Sequence, residues 1–160
     1  MKERVTIVDF SDKILVGKKI KMSLTNDRIS VLWKSFKSQL FMIENRVDTS
    51  FYSIQIYSPD LNFKEFNSNI IFENWVAVEV IDHFEIPDGM ESLIIKEGKY
   101  AVFTYYGTAK DAFKTTQYIF EVWLPGSKFQ LDVRPHFQLM ESDYRPNDSN
   151  AKETFWVPVN

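Results

Sequence analysis

The period of the apolar positions changes several times along the chain, and each change marks an element. From Lys13 to Leu24 apolar residues flank Gly17 and read as a strand. Ile29, Leu32, Trp33, Phe36, Leu40 and Ile43 then recur at helical spacing, on one face of a helix that begins near Thr25 or Asn26, both suited to N-capping. After a turn around Asp48, alternation at Tyr52, Ile54 and Ile56 predicts a further strand. The polar, Asn-rich stretch from Ser58 to Asn69 reads as a loop, and Phe72 to Val80 as another strand. The order is β-α-β-β.

The second half follows the same order. Glu91 to Tyr106 is expected to be one long strand with Gly98 inside it, at a bulge or a close approach. Thr108 to Trp123 reads as a helix, with Thr108 as N-cap, Asp111 as the capping-box acid, and Ala112, Phe113, Thr116, Phe120 and Trp123 facing inward. Pro125-Gly126 ends it. Phe129 to Met140 is expected as a strand interrupted at Pro135, Ser142 to Lys152 as a loop, and Thr154 to Val159 as the last strand. Two anchors support an internal repeat: Gly17-Lys18 and Gly98-Lys99 lie 81 positions apart (98 − 17), as do Trp75-Val76 and Trp156-Val157 (156 − 75). One unit alone leaves a face of its sheet and helix uncovered. Two units, about 10–80 and 91–160, are therefore expected to pack about a pseudo-two-fold axis in an α+β fold, with Ile81 to Met90 as the connector.

A chain of 160 residues suits one domain, 1–160, and can bury a substantial core without staples. Cysteine is absent, which removes disulfides, thiolate metal sites and cysteine nucleophiles together. Nineteen basic against twenty-two acidic residues, with no basic stripe, argue against direct nucleic-acid binding through phosphate neutralisation. Lys2, Glu3, Arg4 and Asp9 interrupt the N-terminus where a secretory signal needs an apolar core, and no apolar run approaches the roughly 20 residues of a membrane span. The chain is read as cytoplasmic and not membrane-bound. Aromatic residues make up 16% of it, enough to line a pocket as well as fill a core. His83 and His136 have no neighbours at metal-ligand spacing and read as surface or partly packed residues, so no metal is assigned. No phosphate loop, nucleophile elbow or dinucleotide fingerprint occurs, and neither a cofactor nor a catalytic residue is assigned.

The strings Ile86-Pro87-Asp88-Gly89-Met90, Glu97-Gly98-Lys99-Tyr100-Ala101-Val102-Phe103, Trp123-Leu124-Pro125-Gly126-Ser127 and Trp156-Val157-Pro158-Val159 resemble, in that order and spacing, the gyrase-inhibitor-like, AraC-type effector-binding family. They cover mostly the second half; the first half matches by repeat and element order. The resemblance implies a duplicated β-α-β-β fold whose halves form a cleft for small hydrophobic, often cationic, compounds. It also implies a domain that either sits behind a DNA-binding module or stands alone. About ten residues precede the first strand read here, too few for a helix-turn-helix, so a stand-alone member or a regulator without its DNA-reading part is expected.

Candidate ligand-binding residues follow from the repeat and the resemblance. The 81-residue offset sets Tyr57 opposite Gln138 and Trp75 opposite Trp156, which makes the two tryptophans candidates for opposite cleft walls, against burial in the core as the competing reading. Family members commonly carry at the Gln138 position a Glu credited with meeting the cation. A neutral amide there offers only hydrogen bonds. Glu79, which matches a Glu-Val position of the family and shares a strand face with Trp75 and Ala77, is a candidate for the missing carboxylate, against a solvated strand-end charge. Tyr105, Tyr118 and Trp123 complete the set, with Tyr118 off the inner helical stripe and so read at the rim.

The leading expectation is a binding protein that senses or sequesters a small hydrophobic or cationic molecule in an aromatic cleft, rather than an enzyme. One alternative is a hydrolase of electrophilic compounds, with Glu79 as general base helped by Tyr57 or Tyr105. Another is a protein-partner role such as inhibition of a topoisomerase through the Ser142 to Lys152 loop, whose Arg145 and Lys152 offset Asp143 and Asp148.

Overall fold

The computed structural model describes residues 5–160, the side chain of Lys64 apart; Met1–Arg4, part of the segment read as lacking a secretory signal, lie outside it. Its strands are β1 (Val5–Phe10), β2 (Lys13–Met22), β3 (Phe51–Ile56), β4 (Phe72–Glu79), β5 (Glu91–Ile95), β6 (Gly98–Tyr106), β7 (His136–Met140) and β8 (Lys152–Pro158). They form one antiparallel sheet in the order β1-β6-β8-β7-β3-β4-β2-β5, with β3 and β7 side by side at its middle. The sheet curls. Phe10 on edge strand β1 meets Phe137 on β7, three strands away, at a ring separation of 5.4 Å, where a flat sheet would hold them roughly 14 Å apart.

The inner surface of this half-barrel is solid. Phe10, Tyr52, Trp75, Tyr100 and Phe137 pack there with Ile54, Leu15 and Ile95, all buried. Two helical segments cover the outer surface. Helix α1 (Ile29–Ser38) lays Leu32 and Phe36 on Val16, Val76 and Val78 of β2 and β4. Helix α2 (Phe113–Tyr118), continued by a π-helical stretch Ile119–Trp123 and a last turn Leu124–Gly126, lays Ile119 and Trp123 on Phe103, Phe155 and Val157 of β6 and β8. Where a helix covers it the sheet is apolar on both faces, which is why Trp75 to Val78 are buried without alternation.

Several expected boundaries move, each for a local reason. The long strand expected over Glu91 to Tyr106 breaks at Lys96-Glu97 into β5, which pairs with β2, and β6, which pairs with β1 and β8. Gly98 marks the break: its φ is +156°, and a Cβ there would run into the Arg134 guanidinium. Gly17 is a close approach of another kind, since a Cβ would meet the Val76 carbonyl of neighbouring β4. Strand β1, from residues with no strand assigned to them, completes the edge on β6. Helix α1 starts later than Thr25 or Asn26, where the Asp27 carboxylate accepts a hydrogen bond from the Ile29 amide at 2.9 Å. Thr108 makes no side-chain cap, and the helix after it turns first through a 3-10 segment and then widens, so that Thr115 and Ile119 take the buried positions and Phe113 is 53% exposed. The strand expected from Phe129 is confined to β7, with an isolated bridge between Leu131 and Val159 before it.

Candidate functional site

Between the areas covered by α1 and α2 runs the outer face of β3 and β7, and it is polar. Strand alternation puts Ser53 and Gln55 of β3, with His136 and Gln138 of β7, on this face. Buried amides need partners, and these find each other. Gln55 Nε2 donates to Gln138 Oε1 at 2.8 Å while Gln138 Nε2 donates back to Gln55 Oε1 at 2.9 Å. The same Gln55 nitrogen donates to Asn74 Oδ1 at 3.0 Å, extending the strip onto β4. The 81-residue offset set Tyr57 against Gln138; the strand register sets Ser53 there instead, and Gln55, opposite His136, reaches Gln138 diagonally through its side chain.

Above one end of the strip opens a cleft of about 700 Å³. Its walls are the segment after β3, the π-helical stretch with Leu124-Pro125, and the approach to β7 from Leu131 to Pro135. A smaller hollow of about 40 Å³ adjoins it over Gln55 and Gln138 and under Thr116 and Ile119. Tyr57, Phe120 and His136 belong to both. They are held by an aromatic cluster: Phe63 stacks on Phe120 with ring centres 4.9 Å apart and on His136 at 5.4 Å, while Tyr57 meets Phe63 edge-on at 5.0 Å and His136 at 5.0 Å. Phe63 comes from a 3-10 turn, Phe63–Glu65, inside the segment read as a polar loop. The dimensions lie within the range of small-molecule sites.

The electrostatics of the cleft are close to neutral. Burial, with a smaller contribution from the Arg134 charge, pushes the His136 imidazole down to about 3, so the ring is uncharged at neutral pH. Burial drives the Tyr57 phenol well above its ordinary value. Asp132, at the outer cleft, accepts a 2.7 Å bond from Arg134 Nε, and that bond chiefly holds its carboxyl below the ordinary range. The Arg134 guanidinium also donates to Lys99 O at 2.7 Å and lies over the Tyr100 ring at 4.7 Å.

The sequence-derived site residues divide between the two faces. Tyr57 and Gln138 line the cavities. Trp75 is 3% exposed in the inner core, its indole N–H donating to Glu73 at 2.7 Å. Trp156 borders the small hollow, but its ring stacks on Phe137 at 5.1 Å on the inner side. The pairing of the two tryptophans is real in another sense: Trp75, Ile54, Phe137 and Trp156 are successive partners in one row across β4, β3, β7 and β8. Glu79 shares their inner face, pairs with Lys13 at 3.8 Å, and has its pKa raised by burial against that pairing. Trp123 packs on Phe103 and Phe129 beneath its helix, and Tyr118 is half-buried against the same cluster. Tyr105 is on the outer face, where its hydroxyl donates to Thr108 O at 2.7 Å. His136, read as an ordinary surface or partly packed residue, is a central wall of the cleft, as is Phe63. The signal available was Phe63 and Phe66 three residues apart in an otherwise polar segment.

One further group stands out. Glu153 on β8 is 7% exposed on the outer face, in the row Met140-Glu153-Tyr105, and burial raises its carboxyl to about 7. Tyr144 lies near enough for the Glu153 charge to help raise its phenol, behind the larger effect of burial. Glu153 lines neither cavity. Among the described residues no group of His, Asp or Glu is arranged to hold a metal ion, and no helix is long and apolar enough to cross a membrane.

A curled eight-stranded antiparallel sheet with two helical covers and an aromatic cleft over its central strands defines a class of α+β ligand-binding domain. Within that class the chain belongs to the GyrI-like small molecule binding domain family, whose pattern it matches over residues 3–160. It is 26% identical over 148 residues to the transcriptional regulator BrlR of Pseudomonas aeruginosa, covering 91% of this chain and 51% of that protein, so the chain spans about half the regulator's length. Among solved structures it is similar in fold to SAV2435 bound to tetraphenylphosphonium, with a TM-score of 0.69 at 16% identity over 100% of this chain and 94% of the other. It is also similar to a hydrolase encoded by lin2189 from Listeria innocua, with a TM-score of 0.63 at 12% identity over 99% of this chain and 93% of the other.

Proposed function

We propose that this chain is a single ligand-binding domain that senses or sequesters a small aromatic molecule in the cleft between the Tyr57–Phe63 segment and the α2 continuation. One observation carries the reading: a hollow of about 700 Å³ that shares the Tyr57, Phe120 and His136 side chains with a smaller hollow over a hydrogen-bonded polar strip. Apolar walls with a few convergent polar groups are the usual composition of such sites. The tetraphenylphosphonium bound to the similar SAV2435 fold supports the size and aromatic character of the guest. We further read the fold as a duplication. The strand order is unchanged when it is reversed and β1 is exchanged with β5, β2 with β6, β3 with β7 and β4 with β8, which sets the cleft floor on the axis between β3 and β7.

A panel of hydrophobic aromatic dyes, scored by tryptophan quenching and by the rise in melting temperature, tests the reading. Binding weakened severalfold by Phe120→Ala supports it. Failure of every dye to raise the melting temperature refutes it. The hydrolytic alternative built on Glu79 draws nothing from the geometry, since that carboxylate is paired with Lys13 across the sheet from the cleft.

A further inference from the structure

Resting on that reading of the cleft, we infer that the site selects uncharged aromatic ligands over lipophilic cations. A cation leaving water needs a counter-charge or a set of oriented acceptors at its destination. Among the described residues that line the two cavities, Asp132 is the only carboxylate, and its charge is met by Arg134 at 2.7 Å. Arg134 itself lines the outer cleft, so the charge nearest an incoming cation on that wall is a fixed ion pair that includes a guanidinium.

The floor is neutral as well. Gln55 and Gln138 satisfy each other in a closed two-bond pair, and Asn74 takes a further bond from Gln55. The pair orients both amides, and each oxygen, though it keeps a second lone pair, carries no charge to offset that of a positive guest. What remains is directional: Gln138 Nε2 donates only to Gln55 among the described residues, so its second N–H is available to an acceptor on a ligand. His136 adds a neutral, stacked ring. The aromatic walls attract flat apolar surface, charged or not; the floor then favours a neutral molecule that carries a hydrogen-bond acceptor.

Triphenylphosphine oxide and methyltriphenylphosphonium test this directly, because they share the three-ring propeller and differ in whether an acceptor oxygen or a cationic centre sits at its apex. Calorimetric titration of the wild-type protein is expected to give at least tenfold tighter binding of the oxide, which corresponds to about 1.4 kcal/mol. Gln138→Glu is expected to shift the ratio at least tenfold toward the phosphonium. Equal or tighter binding of the phosphonium by the wild-type protein overturns the selectivity and leaves the cleft reading standing. Binding of neither compound overturns both. The decisive comparison uses the wild-type chain, so it does not depend on how the variant folds.

Discussion

Replacing Glu153 by Gln removes a buried carboxyl that must release its proton inside the protein. In the folded chain the group titrates near 7 because burial disfavours its charge, against an ordinary value of 4.5. Between pH 4.5 and 7 the native state therefore holds a proton that the unfolded chain has released, and stability falls as pH rises through that window. Each pH unit of the interval corresponds to about 1.4 kcal/mol, so by pH 8 the wild-type protein should lose on the order of 3 kcal/mol relative to the Glu153→Gln variant. His136 acts in the opposite sense: it titrates near 3 when folded and near 6.5 when not, so stability falls as pH drops below 6.5. The two effects nearly cancel between pH 4.5 and 6.5, and a wild-type curve alone would look flat there. The difference between wild-type and Glu153→Gln curves cancels the histidine. Urea unfolding at pH 5, 6, 7 and 8 should show that difference growing steadily in favour of the variant and levelling above pH 7. At pH 8 the melting temperature should be higher in the variant by roughly 6–12 °C for a chain of this size. Parallel curves at all four values would refute the assignment of Glu153 as a carboxyl whose proton affinity is raised by burial.

Other changes separate the core from the cleft. His136→Phe should remove the acid-side loss, raising stability relative to wild type by about 2 kcal/mol at pH 5, read by the same urea titration. Phe137→Ala, on the fully buried inner face, should cost about 3–5 kcal/mol in chemical unfolding while leaving dye affinity within about twofold at temperatures where the variant is folded. Phe63→Ala removes a ring that stacks on Phe120 and His136, and should weaken dye binding severalfold in fluorescence titration for a smaller stability cost of about 1–2 kcal/mol. Gly17→Val should leave little folded protein by circular dichroism, since even its Cβ would meet the Val76 carbonyl.

The element order was legible because the helix and the flanking strands carry strong periods, and the motif strings identified the family. The faces were not. A strand reading Tyr52-Ser53-Ile54-Gln55-Ile56 looks like one with an apolar core side and a solvated side. Here the polar side is buried and lies under the smaller hollow, so Gln55 was overlooked, although Tyr57 just beyond it was among the candidates. On β4 the difficulty is the reverse: Trp75, Val76, Ala77 and Val78 are all buried, and an unbroken apolar run says nothing about which face a cleft adjoins. Trp75 and Glu79 were correctly placed on one face, and that face is the inside of the curl. The Lys96-Glu97 break between Leu93–Ile95 and Tyr100–Phe103 was read through as one strand, since both pieces are strands and only their partners change.

The position of the cleft follows from where the helices can reach. Each helical segment centres its apolar face on a pair of strands, α1 on β2 and β4, α2 and its continuation on β6 and β8. The central strands β3 and β7 are left between them, on the convex side of a sheet that curls away from the helices. Apolar side chains along that strip would draw the two helices together and close it. Ser53, Gln55, His136 and Gln138 instead bond within the strip or remain as neutral rings, and the aromatic turn at Phe63 roofs one end rather than filling it. The smaller hollow thus lies over polar side chains that bond among themselves and carry no charge at neutral pH.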